Sequence, residues 1–509
     1  MKKFHSIIFA VLTASASYAA ELWYQAVDDV RSWDTLAAWQ GANALPTSTD
    51  IINLNNSSIV VPNYLRITNG VTALASVLHI GDQKMEDGRL VGLKIEQGGT
   101  LNLTASGTFN LIVGNEGRGA LWLDGGEVKA SGWNVFIGNH TGSYGEIVVG
   151  HGAAFTPAEQ NSQWKKSMIV GLYGIGKMTT FADIGFPLME LRIGGSTQGW
   201  NSFHAAGSTV VCDICQVGGV VYYGEEVGIQ NVRNDLPGYG ELILSNATLK
   251  IASVLPENTV AQFSIGRFDG GYGILRGCGA VQGSTADSNN VRIWMNEGQI
   301  IADGFGEEAA LDLNSVVSIR NNTSEIAADT TNGWYAVNKG AALFPRIWFS
   351  SDSTTTVVGG WSGDTDPGFV NSVGVLVSGV EGSNRHLRGG LFADGRSDVH
   401  ADLMPRNDGV IGIWKIGMTA SVSGSDVLDY GSADLTFRYD QSKVNVGEPI
   451  ALYRWNGSRW ERVAEKIADS TFKISASDLV RPASYDGIYN IGTFTLVKKD
   501  LKGLVITVL

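Results

Sequence analysis

The residues best suited by type to do chemistry are carboxylates in the C-terminal half. The stretch "FADGRSDVHADLMPRND" carries Asp394, Asp398, His400, Asp402 and Asp408, and "WSGDTDPG" carries Asp364 and Asp366. Closely spaced carboxylates can hold calcium, or serve as the acid and base of glycoside cleavage. Neither stretch has the complete ligand spacing of a calcium loop, and aspartate is also a standard turn residue. Asp364, Asp366, Asp394 and Asp398 are therefore the metal candidates, with calcium the one ion they suggest. No other cofactor is implied and no catalytic residue is assigned.

A second set could bind sugar. Trp122, Trp133, Trp164 and Trp200 fall at outward positions, and an aromatic face suits a pyranose ring. The competing expectation is packing between loops and coils, the usual fate of large aromatics. Glu116, Arg118, Glu146, His140 and His151 fall at turns or outward positions of neighbouring units, where histidines are expected to be solvated. Cys212 and Cys215 form a C-x-x-C with His204 nearby, and Cys278 is the third cysteine. A zinc site needs four ligands, and a thioredoxin site needs a strand running into a helix. Neither context is present, so buried thiols or a local disulfide are expected. The chain holds no G-x-S-x-G, H-E-x-x-H, P-loop or dinucleotide fingerprint.

What must position these residues is a repeat. An aliphatic residue followed by glycine, just before a polar turn, occurs at Ile80-Gly81, Val113-Gly114, Ile137-Gly138, Val170-Gly171, Ile193-Gly194, Val217-Gly218 and Ile265-Gly266. The glycines are 33, 24, 33, 23, 24 and 48 residues apart. The last gap reads as twice 24, so the unit is about 24 residues, sometimes lengthened by about nine. After a second glycine comes a period-two strand: Leu93/Ile95, Leu121/Leu123, Ile147/Val149, Leu242/Leu244. Further apolar positions follow at Leu101/Leu103, Val128, Phe155 and Leu249. Each unit thus holds three short strands with one apolar face each, which it cannot bury alone. Stacking buries them. The expected fold is all-β: a right-handed parallel β-helix of some ten coils, each rising about 4.8 Å. Leucine-rich repeats need regular Leu and Asn spacing, and propeller blades are longer.

Composition agrees. With 65 glycines, 11 prolines and 17% charged residues, the chain suits short strands and tight turns better than helices. Residues 1–20, "MKKFHSIIFAVLTASASYAA", carry two lysines, a short apolar core, and Ser17 and Ala19 spaced for cleavage before Ala20 or Glu21. They read as a secretory signal; the apolar run is too short to span a bilayer. Its loss would take the net charge from −13 to −15, since it holds two lysines and no acid. Such acidity argues against nucleic acid as a partner. No later segment is long and apolar enough to span a membrane, so export to the medium or the cell surface is expected.

The units resemble the exported bacterial β-helix proteins of the pectin-lyase-like kind, including the autotransporter-type β-strand repeats with "IGN…G.G.L…GG" units. The opening "SWDTLAAWQGANALPTSTDIINLNNSSIVV" is similar to their first segments. The resemblance spans roughly residues 33–300 and implies the fold; it carries no catalytic residue across. From about residue 333 the unit fades, and 405–509 has sandwich-like strands, including the hairpin signal "NGS" at 456–458. The expected organisation is a signal over 1–20, a cap and first strands over 21–70, the β-helix over 71–340, and a β-rich region with a β-sandwich over 341–509.

The function expected is a non-enzymatic structural or adhesive surface protein built on the rod. One alternative is a carbohydrate-active enzyme, a lyase or hydrolase, with its site on an outer face. Another is a non-catalytic carbohydrate-binding protein. The partner each implies is a polysaccharide or cell-surface glycan.

Overall fold

The computed structural model describes residues 20–25, 31–39, 44–105, 110–130, 134–157, 166–195, 199–218, 238–251, 261–266, 271–283, 291–295, 297–302, 309–313, 316–320, 332–337, 341–344, 346–348, 356–358, 372–378, 386–392, 409–419, 427–439, 443–471, 473–485, 487 and 489–498. Strands wind into a parallel β-helix with three faces. Face A begins with Leu65–Ile67, Val91–Glu96, Arg118–Asp124 and Tyr144–Val149. Face B begins with Thr72–Ala75, Thr100–Leu103, Glu127–Ala130 and Ala154–Pro157. Face C begins with Glu21–Trp23, Ile51–Leu54, Val77–Ile80 and Leu111–Val113. Face A continues in parallel register through Ile175–Thr180, Asn201–Ala206, Tyr239–Ile251, Tyr272–Gly283 and Glu297–Ala302 to Asn332–Val337.

Period-two alternation puts every second side chain inside. On face A the register aligns Leu65, Leu93, Leu121, Ile147, Met178, Phe203, Leu242, Leu275 and Ile300 in one inward column. All nine are buried. Leu101, Val128 and Phe155 line it from face B, and Leu111, Val135, Met168 and Leu191 from face C. Leu93, Leu121, Ile147 and Leu242 thus share one continuous core, as stacking requires.

The aliphatic–glycine pairs are the corner from face C to face A. Ile80, Val113, Ile137, Val170, Ile193, Val217 and Ile265 stack on one another, and each following glycine has positive φ, from 67° to 89°. At Gly114 a Cβ would lie 2.2 Å from the Tyr144 carbonyl oxygen of the next coil. The corner needs glycine both for its backbone angle and for close approach.

One spacing is corrected. Val217 pairs directly with Ile265, so the 48-residue gap is a single coil containing the long segment 219–237, not two coils of 24. Along face A the paired positions from Leu65 to Leu93, Leu121, Ile147, Met178 and Phe203 are 28, 28, 26, 31 and 25 residues apart. Coil length varies because only the strands are constrained by stacking; turns can lengthen without disturbing it.

The N-terminal end of the core is covered by aromatics. Tyr24, Trp33 and Trp39 are buried, with Trp33 and Trp39 ring centroids 4.9 Å apart and Tyr24 5.6 Å from Trp39. The Trp39 indole N–H donates to the Trp33 carbonyl at 3.0 Å.

At the other end the rod runs into an antiparallel module. Ala341–Phe344 pairs parallel with Ala309–Asp312 of the preceding coil and antiparallel with His386–Phe392. That sheet continues through Val410–Thr419, Gly492–Lys498, Pro449–Trp455 and Trp460–Ile467. A second sheet joins Thr356–Val358, Ser372–Ser378, Ser432–Arg438 and Lys473–Leu479. Trp414 and Phe494 of the first sheet meet Phe437 of the second at 4.8 and 5.4 Å, which closes a sandwich core. The "NGS" turn is the hairpin between Trp455 and Trp460, with Gly457 at φ 98°.

Candidate functional site

The outer side of face A gathers the exposed aromatics and charges. Its outward residues form columns, because parallel register places equivalent positions above one another. One column runs Arg66, Lys94, Trp122, Val148, Thr179, His204, Ile243 and Arg276. Trp122 is 40% exposed and meets Tyr64 edge-to-face at 5.8 Å. The Lys94 ammonium lies 5.4 Å from the Trp122 ring centre and 2.7 Å from Asp124. Gly92 makes room for Tyr64: a Cβ there would meet the tyrosine ring at 2.3 Å.

A neighbouring column stands at the corner entering the face. Arg118, Tyr144 and Ile175 pair in successive coils, and Tyr239 pairs with Tyr272. Between Ile175 and Tyr239 the register places Trp200, one residue before the Asn201–Gly240 pair. Trp200 is 48% exposed, with ring centroids 5.5 Å from Tyr239 and 6.1 Å from Tyr272. The Arg118 guanidinium lies 5.0 Å and the Lys177 ammonium 5.7 Å from the Tyr144 ring. The Tyr144 hydroxyl donates to Glu146 Oε2 at 3.1 Å. Burial, then the Glu146 charge and that bond, push the Tyr144 phenol up to about 12. Tyr64 is also raised, by burial first and Glu146 second. Both phenols therefore remain neutral hydrogen-bonding groups at neutral pH.

The corner also carries a polar chain across coils. The Asn53 amide donates to Glu21 at 2.7 Å, and its Oδ1 faces His79 Nδ1 at 2.9 Å. The same ring nitrogen is 3.2 Å from Asp82 Oδ1. Facing two oxygens, His79 Nδ1 must carry the proton. Asn115 donates to Asp82, and Asn139 to Asn115, each at 2.8 Å. Burial raises the Asp82 carboxyl, but the bonds from His79 and Asn115, with the His79 and His140 charges, outweigh it and hold the group below the ordinary aspartate value.

Of the residues singled out in the sequence, Arg118 and Glu146 come together at Tyr144. Glu116 and His140 are exposed in turns of the C-to-A corner. His151 is exposed between faces A and B, its ring 5.3 Å from Phe181, so the two histidines do not converge. His204 donates or accepts at Ser245 Oγ, 2.8 Å away, and burial lowers its pKa despite Glu241. Cys212, Cys215 and Cys278 are buried free thiols. Burial, then the adjacent Cys212, holds the Cys215 thiol well above the usual range. Cys278 accepts from the Asn246 backbone N–H and donates to its Oδ1, both at 3.4 Å. Trp133, Trp164, Asp364, Asp366, Asp394, Asp398, His400, Asp402 and Asp408 lie outside the described residues. Among the described residues, no group of three His, Cys, Asp or Glu side chains is placed to hold a metal ion.

The tyrosines of the corner column were not anticipated, although the sequence holds their signal. Tyr144-Gly145, Tyr239-Gly240 and Tyr272-Gly273 repeat one dipeptide at the start of a face A strand. The glycine lets the strand pass close to the preceding coil: a Cβ on Gly145 would lie 2.0 Å from the Val113 carbonyl oxygen. The tyrosine before it then projects outward.

The fold defines a parallel β-helix with a terminal antiparallel sandwich. No family model matches the chain, and neither a curated protein nor a solved structure matches it.

Proposed function

We propose that the protein is an exported, non-enzymatic rod that serves display or attachment at a cell surface. The observation that carries this reading is how the outer charges of face A are used. They tie one coil to the next: Arg66 with Glu96 at 3.7 Å, Lys94 with Asp124 at 2.7 Å, and Arg276 with Glu241 at 3.3 Å. Arg118 lies over Tyr144 in the following coil. Side chains used this way stiffen a column, whereas hydrolysis of a glycoside asks two carboxyls to converge on one bond. The lysine-led apolar start of the chain supports export, and the unit pattern supports kinship with pectin-lyase-like and autotransporter-type β-helices. The test is incubation with acidic and neutral polysaccharides, with and without calcium, scoring both retention and new chain ends. Retention without new ends is expected; release of sugar overturns the reading.

A further inference from the structure

We propose that the corner column of face A, built from Tyr144, Trp200, Tyr239 and Tyr272, is a binding strip for a neutral polysaccharide lying along the rod. This rests on the reading of the rod as an attachment protein and names what it attaches to. The first observation is spacing. Tyr144, Ile175, Trp200, Tyr239 and Tyr272 occupy one position in successive coils. At about 4.8 Å per coil they make a strip about 19 Å long, enough for several sugar rings in a row. The second is chemistry. A pyranose offers an apolar C–H face rimmed by hydroxyls. Trp200, half exposed and set against two tyrosine rings, offers the matching apolar plane, and phenol groups supply partners for the rim. The third is charge. Charges of both signs are interleaved beside the strip: Arg118 and Lys177 lie over the Tyr144 ring, whose hydroxyl donates to Glu146, and Arg276 is paired with Glu241. The chain as a whole carries −13. The field of the whole molecule therefore opposes the approach of an acidic polymer and not that of a neutral one.

The experiment uses the full chain in affinity electrophoresis through gels containing soluble xylan, mannan, mixed-linkage glucan, polygalacturonate or alginate. Retardation by at least one neutral polymer is expected. Trp200→Ala and Tyr272→Ala should each weaken it about ten-fold, the value of one aromatic stacking contact. Phe181→Ala removes an exposed aromatic at the far end of its face A strand, outside the column and against His151, and should change it less than two-fold. In the unsubstituted protein, saturating neutral polymer should also shield Trp200 from N-bromosuccinimide oxidation, which needs no variant to fold. Retardation only by acidic polymers, none by any neutral one, an unchanged Trp200→Ala, or unshielded Trp200 overturns the strip. None of these touches the non-enzymatic rod, whereas new reducing ends overturn the rod's proposed function and leave binding intact.

Discussion

Replacing Gly114 by alanine should damage the stack far more than the same change at Gly142. Both glycines have positive φ, 73° and 83°. For an alanine that conformation costs about 1–2 kcal/mol. The two differ in what a methyl group would meet. At Gly142 nothing lies within 4 Å, while at Gly114 the Cβ would sit 2.2 Å from the Tyr144 carbonyl oxygen and 2.4 Å from its carbon. Ordinary contact begins at 3.4 Å, so the next coil would have to retreat by about an ångström, at a cost of about 1–3 kcal/mol. The expected totals are about 1–2 kcal/mol for Gly142→Ala and about 2–5 kcal/mol for Gly114→Ala. Stacked repeats open locally, so hydrogen exchange is the right assay. The Gly114 amide bonds to the Ile80 carbonyl at 2.7 Å, and the Gly138 amide to the Val113 carbonyl at 2.8 Å. At 1.4 kcal/mol per factor of ten, protection of the Gly138 amide should fall about five-fold to a hundred-fold further in Gly114→Ala than in Gly142→Ala. Equal losses in the two variants would refute the argument that corners are stacked in contact.

Leu121→Ala, at a fully buried position of the face A column, should cost about 2–5 kcal/mol, while Trp122→Ala beside it should cost about 1 kcal/mol or less; denaturant melts compare them. Because the folded Asp82 carboxyl is held below its ordinary value of 3.8, it adds stability above that pH, and the contribution is lost as pH falls through the lowered value. Asp82→Asn should therefore be less stable than the parent at neutral pH, with the gap closing as the pH falls below the ordinary aspartate value; melting across acidic and neutral pH checks it. Arg454 donates to the Val480 carbonyl at 2.8 Å, to the Ile491 carbonyl at 2.5 Å and to the Tyr430 hydroxyl at 3.3 Å, and lies over Phe494. Arg454→Met should destabilise the sandwich by about 3 kcal/mol while exchange in the first coils stays unchanged.

The stack was legible because glycine is needed where φ is positive and coils touch, and that need recurs from coil to coil. Each of the seven aliphatic–glycine pairs that precede a polar turn lands on the same corner. The 48-residue gap misled, since an inserted segment of coil length is indistinguishable by spacing from another coil. Face C misled differently. Alternation places Ile112, Phe136 and Ile169 outward, yet all three are buried in a second apolar cluster with Leu172. Their signal was the unbroken runs "LIV", "VFI" and "MIV", as expected of strands buried on both sides. In the candidate site, Trp122 and Trp200 are outward as their positions implied. The tyrosines that accompany them were passed over because the glycine following each was read only as a turn signal, and not as the reason its neighbour faces solvent.

The most direct test of in-register stacking is a set of spin-label distances along one outward column. Lys94, Trp122 and Thr179 lie six, five and three coils from Arg276. The native thiols are buried, so cysteines placed at these four outward positions can be labelled selectively. Electron–electron double resonance should return backbone separations of about 29, 24 and 14 Å for the pairs with position 276, one step of about 4.8 Å per coil. Distances that fail to shorten in that order, or that ignore the coil count, would contradict a single continuous column.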